Sequence, residues 1–168
     1  MRRILPSAFL LSLAIFSSAS AATLSDEQRA IIEHECAKLS SIYATGIDTP
    51  DADLFASAFA KNATWITGQG NRSGRQAISD YVKKRTVSHG KHVITNILVE
   101  VIDENHARGT AYLAAYHYDT VHPENITSLA PGLVGKFTDE YVREDGKWFF
   151  QSRKLDRVNI RAAATPSH

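Results

Sequence analysis

His92-Val93-Ile94-Thr95-Asn96-Ile97-Leu98-Val99-Glu100-Val101-Ile102 is a run dominated by β-branched side chains that opens on a histidine. Such residues favour a pleated strand, where successive side chains point to opposite faces. Strict alternation puts His92, Ile94, Asn96 and Leu98 on one face and Val93, Thr95, Ile97, Val99 and Val101 on the other. The first face mixes an imidazole and an amide with aliphatic groups, as a mostly apolar pocket with a few polar groups does. The second reads as plain core.

Upstream of this strand the signals are helical. Ser25 followed by Asp26, Glu27 and Gln28 has the chemistry of a capping box, and Ile31, Ile32, Glu35, Cys36, Leu39, Ile42 and Tyr43 recur at helical spacing. This predicts an amphipathic helix to about Thr45 with Gly46 as its stop. Pro50 and Asp51 start a second helix to Ala60, and Ala63 to Thr67 reads as a short strand. Gly68-Gln69-Gly70-Asn71 is a turn, without the lysine of a phosphate loop, and a third helix runs from Ser73 to about Arg85. Downstream, Arg108 to Tyr118, Gly135 to Glu144 and Trp148 to Val158 alternate as strands, the last two joined by the hairpin signal Glu144-Asp145-Gly146-Lys147. Thr120 to Gly132 is a long excursion of the kind that forms a lid or rim.

The ends bound the remaining questions. Met1-Arg2-Arg3, the apolar run Ile4 to Phe16 and Ala19-Ser20-Ala21 have the three regions of a secretory signal peptide, and the run is short for a membrane span. The expected organisation is a leader over residues 1–21, one domain over 22–160 and a frayed tail over 161–168. Localisation is then exported, periplasmic or secreted, with no membrane anchor after cleavage. Loss of Arg2 and Arg3 would leave 17 basic against 18 acidic residues, which gives no reason to expect nucleic acid as a partner. Cys36, the sole cysteine, excludes an intrachain disulfide and sits on the apolar helix stripe. Asn62, Asn71 and Asn125 begin glycosylation sequons, relevant only in a eukaryotic secretory pathway. His89, His106, His117 and His122 show no metal-ligand spacing, so no metal is expected.

Three helices packed on a strongly curved, mixed or antiparallel sheet is an α+β layout. Several short motifs, in this order, resemble the SnoaL-like branch of the nuclear transport factor 2 superfamily. They are Tyr43-x-x-x-x-Asp48-x-x-Asp51, Phe55-x-x-x-Phe59-x-x-x-Ala63-x-Trp65, Gly74-Arg75-x-Ala77-Ile78, His92-Val93-x-x-Asn96 and Asp139-x-Tyr141-x-Arg143-x-Asp145-Gly146-x-Trp148. The resemblance implies a cone-shaped α+β barrel with an internal pocket. It also implies an Asp-His dyad at Asp48 and His92, assisted by Tyr43, working without cofactor. Around that dyad Asn96, Trp65, Tyr112, Tyr116 and Lys136 are candidate substrate-binding residues.

Two functions fit this reading. One is a lyase or isomerase in which His92, oriented by Asp48, removes a carbon-bound proton from a small apolar or aromatic molecule. The other is a non-catalytic pocket protein that binds a small hydrophobic ligand. A structural domain whose pocket is filled by its own side chains is a third option. Homodimerisation through the outer sheet face is compatible with all three.

Overall fold

The computed structural model describes residues 24–85, 90–117 and 131–158. The expected leader, the tail and most of the 120–132 excursion lie outside the described residues, as does the sequon at Asn125. Helix α1 (Asp26–Asp48) begins on the capping box: Gln28 N–H donates to Ser25 Oγ at 3.2 Å, and Ser25 N–H donates to Gln28 Oε1 at 2.9 Å. It does not stop at Gly46 but continues to Asp48, with Thr49 as C-cap. Gly46 has a packing role instead. A Cβ there would lie 2.5 Å from Phe55 N, so the missing side chain lets α2 (Ala52–Ser57) lie directly on α1.

Helix α2 is short because Ala58 turns the chain into β1 (Phe59–Thr67), which is longer than alternation suggested and interrupted by a bulge between Phe59 and Thr64. Then come β2 (Gly70–Ser73), α3 (Arg75–Lys83), β3 (Gly90–Val101), β4 (His106–His117), β5 (Leu133–Glu144) and β6 (Lys147–Val158). The six strands form one sheet in the order β2-β1-β6-β5-β4-β3, antiparallel except for the parallel β1/β6 pair. The architecture is the α+β one expected, in an open sheet that does not close into a barrel. Asp145 and Gly146, both at positive φ, make the β5–β6 hairpin with Glu144 paired to Lys147.

Helix α1 packs against β3 and β6, and its buried stripe of Ile32, Cys36, Leu39, Tyr43 and Ile47 meets Phe137 and Phe150 in the core. A buried ion pair crosses this interface. Arg153 on β6 faces Asp139 on β5 in register and grips it with two bonds of 3.0 Å, while the same guanidinium donates to Ser40 Oγ of α1 at 2.9 Å. Tyr43, Phe137 and Phe150 stack around the cation at 4.6, 4.0 and 4.1 Å. Burial pushes the Asp139 carboxyl above the ordinary carboxylate range while Arg153 pulls it down. Among the described residues no helix is long and apolar enough to cross a membrane.

The face assignment of β3 changes within the strand. His92 and Ile94 turn inward, as expected, but Asn96 sits at φ +52° in a bulge between Thr95 and Leu98. One extra residue reverses the alternation. Beyond the bulge Ile97, Val99 and Val101 point inward and Leu98 is 70% exposed; before it Val93 and Thr95 are exposed, so the second face is not plain core along its length.

Candidate active site

Asp48, the last residue of α1, is not used as a helix cap, because Asp51 fills that role by accepting from Leu54 N–H at 2.9 Å. Its carboxylate turns to the start of β3 and takes two donors from one residue. His92 backbone N–H reaches Oδ2 at 3.1 Å, and the ring Nδ1 lies 2.6 Å from Oδ1. In the neutral tautomer this geometry favours, Nδ1 carries the proton toward the carboxylate and Nε2 keeps a free lone pair. The His92 and Asp48 side chains are 18% and 10% exposed, so the pair is shielded yet reachable.

His92 lines a half-open cavity of about 380 Å³. Tyr43, Ile47, Trp65, Leu113, Leu133 and Leu155 give it apolar walls. Thr67, Gln69, Tyr81, Arg85, His117 and Arg157 bring polar groups to the same space. Asp48 does not border the cavity; it lines a surface groove on the other side of His92 together with Thr45 and Ile97. His92 lines both spaces, whereas Asp48 lines only the groove.

The model of the SnoaL-like domain family matches residues 28–154. The chain belongs to that family. Among solved structures, this SnoaL-like chain is similar to Rv3472 of Mycobacterium tuberculosis, a protein of unknown function, at 23% identity and a TM-score of 0.69 over 83% of this chain and 79% of that one. It is also similar to the hexachlorocyclohexane dehydrochlorinase LinA-type3 of Novosphingobium barchaimii, at 22% identity and TM-score 0.65 over 83% and 95% of the two chains. A protein of Novosphingobium aromaticivorans named for scytalone dehydratase superposes at 18% identity and TM-score 0.65 over 86% and 99%. At these identities the likeness shows a shared fold. Comparison with curated proteins found no match.

In this SnoaL-like chain Tyr43, Trp65, His92 and Tyr116 all border the cavity. Tyr43 is 2% exposed, and burial pushes its phenol up to about 12, against the opposing Arg153 charge and the Trp65 indole N–H. It is a neutral hydroxyl at any physiological pH. Three expected binding residues need correction. Asn96 is exposed at the bulge, where positive φ turns it out of the first face. Tyr112, 52% exposed, and Lys136 are cross-strand partners on the outer sheet surface, because Ala111, Leu113, Gly135 and Phe137 take the inward parity.

Sequence reading missed Arg85, Arg157 and Gln69, which reach the cavity from the end of α3, the end of β6 and the β1–β2 turn. The signal available for Arg157 was its parity with Arg153 and Leu155, which alternate on β6 with Lys154 and Asp156. Arg85 and Gln69 follow from tertiary packing alone. No group of three or more potential metal ligands occurs among the described residues.

Proposed function

We propose that this SnoaL-like protein is an exported lyase or isomerase that abstracts a carbon-bound proton from a small, largely apolar or aromatic molecule. The observation that carries the reading is the asymmetry of the dyad, in which His92 lines the cavity while Asp48, bonded to its ring Nδ1, does not. Nε2 takes the proton, and the electrons of the broken C–H bond form the new double bond as the leaving group departs with its own pair. Asp48 stabilises the imidazolium that results. Tyr43, held neutral, serves as the hydrogen-bond donor to the leaving group or to a developing oxyanion. Two of the structural neighbours bear names that denote eliminations, a dehydrochlorinase and a dehydratase, and elimination begins with loss of such a proton.

Export rests on the leader-like residues 1–21. N-terminal sequencing of the protein from the extracytoplasmic fraction is expected to begin at Ala22. For the chemistry, purified protein is screened with carbon acids bearing β-halide or β-hydroxyl groups in deuterated water, following proton loss by NMR. Turnover by the wild type that disappears in His92→Ala supports proton abstraction. Turnover that survives in His92→Ala refutes it, and tight binding of such compounds with neither exchange nor elimination identifies a ligand carrier instead.

A further inference from the structure

The cavity that His92 borders has a sign. Among the described residues it takes its charged groups from Arg85 and Arg157, with His92 and His117 adding imidazoles, and no Asp or Glu lines it. Asp48 does not line the cavity and already holds two donors from His92. Neither arginine has an ion-pair partner among the described residues; Arg85 is half-buried and Arg157 is exposed at the cavity's edge.

The unmet hydrogen-bonding capacity points the same way. Arg85 Nε is buried without a partner, and Arg85 lines the cavity. That atom is a donor, so what is missing is an acceptor. Gln69 Oε1 already accepts from Tyr81 O–H at 2.6 Å, which leaves the amide of Gln69 with donors to offer. Arg157 lies along the wall at Gly68, where a Cβ would meet its Cδ at 3.2 Å and Nη1 at 3.6 Å. A glycine here leaves the guanidinium its place beside the cavity.

We propose that the ligand of this cavity is an aromatic or alicyclic organic anion, its ring against Trp65, Tyr43 and Leu113 and its anionic group on Arg85 and Arg157. This deepens the functional reading above, since it rests on the same cavity being the ligand site, but it does not depend on turnover. Guanidinium forks match carboxylate and phosphate oxygens, and a site built to pair an anion leaves buried donors unpaired when a neutral analogue binds.

The test compares three probes of one ring system by calorimetry at pH 7.5: 2-naphthoate, 2-naphthyl phosphate and the neutral isostere 2-naphthamide. The purified wild type is expected to bind at least one of the two anions ten times or more tighter than the amide, and the tighter anion identifies carboxylate or phosphate ester as the natural group. Arg85→Gln and Arg157→Gln are each expected to remove most of that preference. Equal binding of anion and amide by the wild type, absence of binding by all three, or a preference indifferent to both substitutions overturns the proposal. His92→Ala is expected to keep the anion preference. Loss of turnover with retained preference separates the two readings, and turnover of neutral substrates without anion preference sustains proton abstraction while refuting this one.

Discussion

Asp48 binds His92 twice, at the backbone N–H and at ring Nδ1, so one carboxylate holds both the backbone near the start of β3 and the turn of its imidazole. The geometry makes the pair separable by experiment. Asp48→Asn keeps the shape and can still accept one bond, but it removes the charge that stabilises an imidazolium. Turnover is expected to fall about 10²–10⁴-fold while ligand affinity changes little, as read from separate kcat and KM values. An unchanged kcat refutes the orienting role.

Backbone conformation at Asn96 is tested by residue choice. At φ +52° glycine is unstrained, asparagine is well tolerated and a β-branched residue is not. Asn96→Gly is expected to leave the unfolding free energy from urea titration within about a few tenths of a kcal/mol, and Asn96→Val to cost about 1–2 kcal/mol or more. Because the residue is exposed and outside the cavity, neither change should alter ligand affinity.

At Gly46 two effects oppose each other. Alanine in a helix gains about 1 kcal/mol over glycine by propensity. Its Cβ, however, would stand 2.5 and 2.6 Å from Phe55 N and Cα, which are backbone-anchored atoms that move only if α2 moves. Overpacking of that kind costs about 1–3 kcal/mol, so Gly46→Ala is expected to destabilise, with a lower thermal midpoint. A higher midpoint would show that α2 is loosely held.

Alkaline pH probes the buried phenols. Burial holds Tyr43 at about 12 and raises Tyr141 as well, whereas both titrate near 10 in the unfolded chain. Between these values the unfolded state has lost protons that the folded state retains. Stability is therefore fully present below about pH 10 and falls as pH rises towards 12, by about 1.4 kcal/mol per unit for each phenol. Urea midpoints at pH 9, 10 and 11 should decline progressively, and Tyr43→Phe should decline less steeply from its own starting value.

Cys36 is fully buried on α1, and burial pushes its thiol up to about 12. A thiol that is neither ionised nor accessible is inert. Ellman's reagent at pH 8 is expected to leave the native protein unmodified and to titrate one thiol in urea. Rapid native labelling would show that α1 lifts from the sheet.

The features legible in the sequence are those whose physics is local. Ser25 with Gln28, Asp51 before Leu54, and Asp145-Gly146 each satisfy their own neighbouring backbone, so residue type and spacing suffice to place them. The features that escaped depend on partners far along the chain. Gly46 reads as a helix stop until Phe55 is seen packed on it. Asp139 stands in the sequence only as part of a motif, and nothing local announces Arg153 as its partner; register sets the two opposite each other beneath α1. Tyr112 and Lys136 were assigned to the pocket by chemical type, and strand parity put them outside. Asn96 is intermediate: asparagine is among the residues best suited to a positive φ, yet nothing in a β-branched run announces where alternation will slip.

The bulge at Asn96 makes β3 a strand of two phases. Before the bulge His92 and Ile94 point inward, and after it Ile97, Val99 and Val101 do, so only the first half carries a residue of the dyad. Substitutions that reshape the space around His92 need not disturb the packing of Val99 and Val101. A single-residue deletion at the joint would couple the halves again and send one of them out of phase. A site that can vary while its support stays constant is suited to acquiring new ligands, and here that independence comes from one residue of extra backbone.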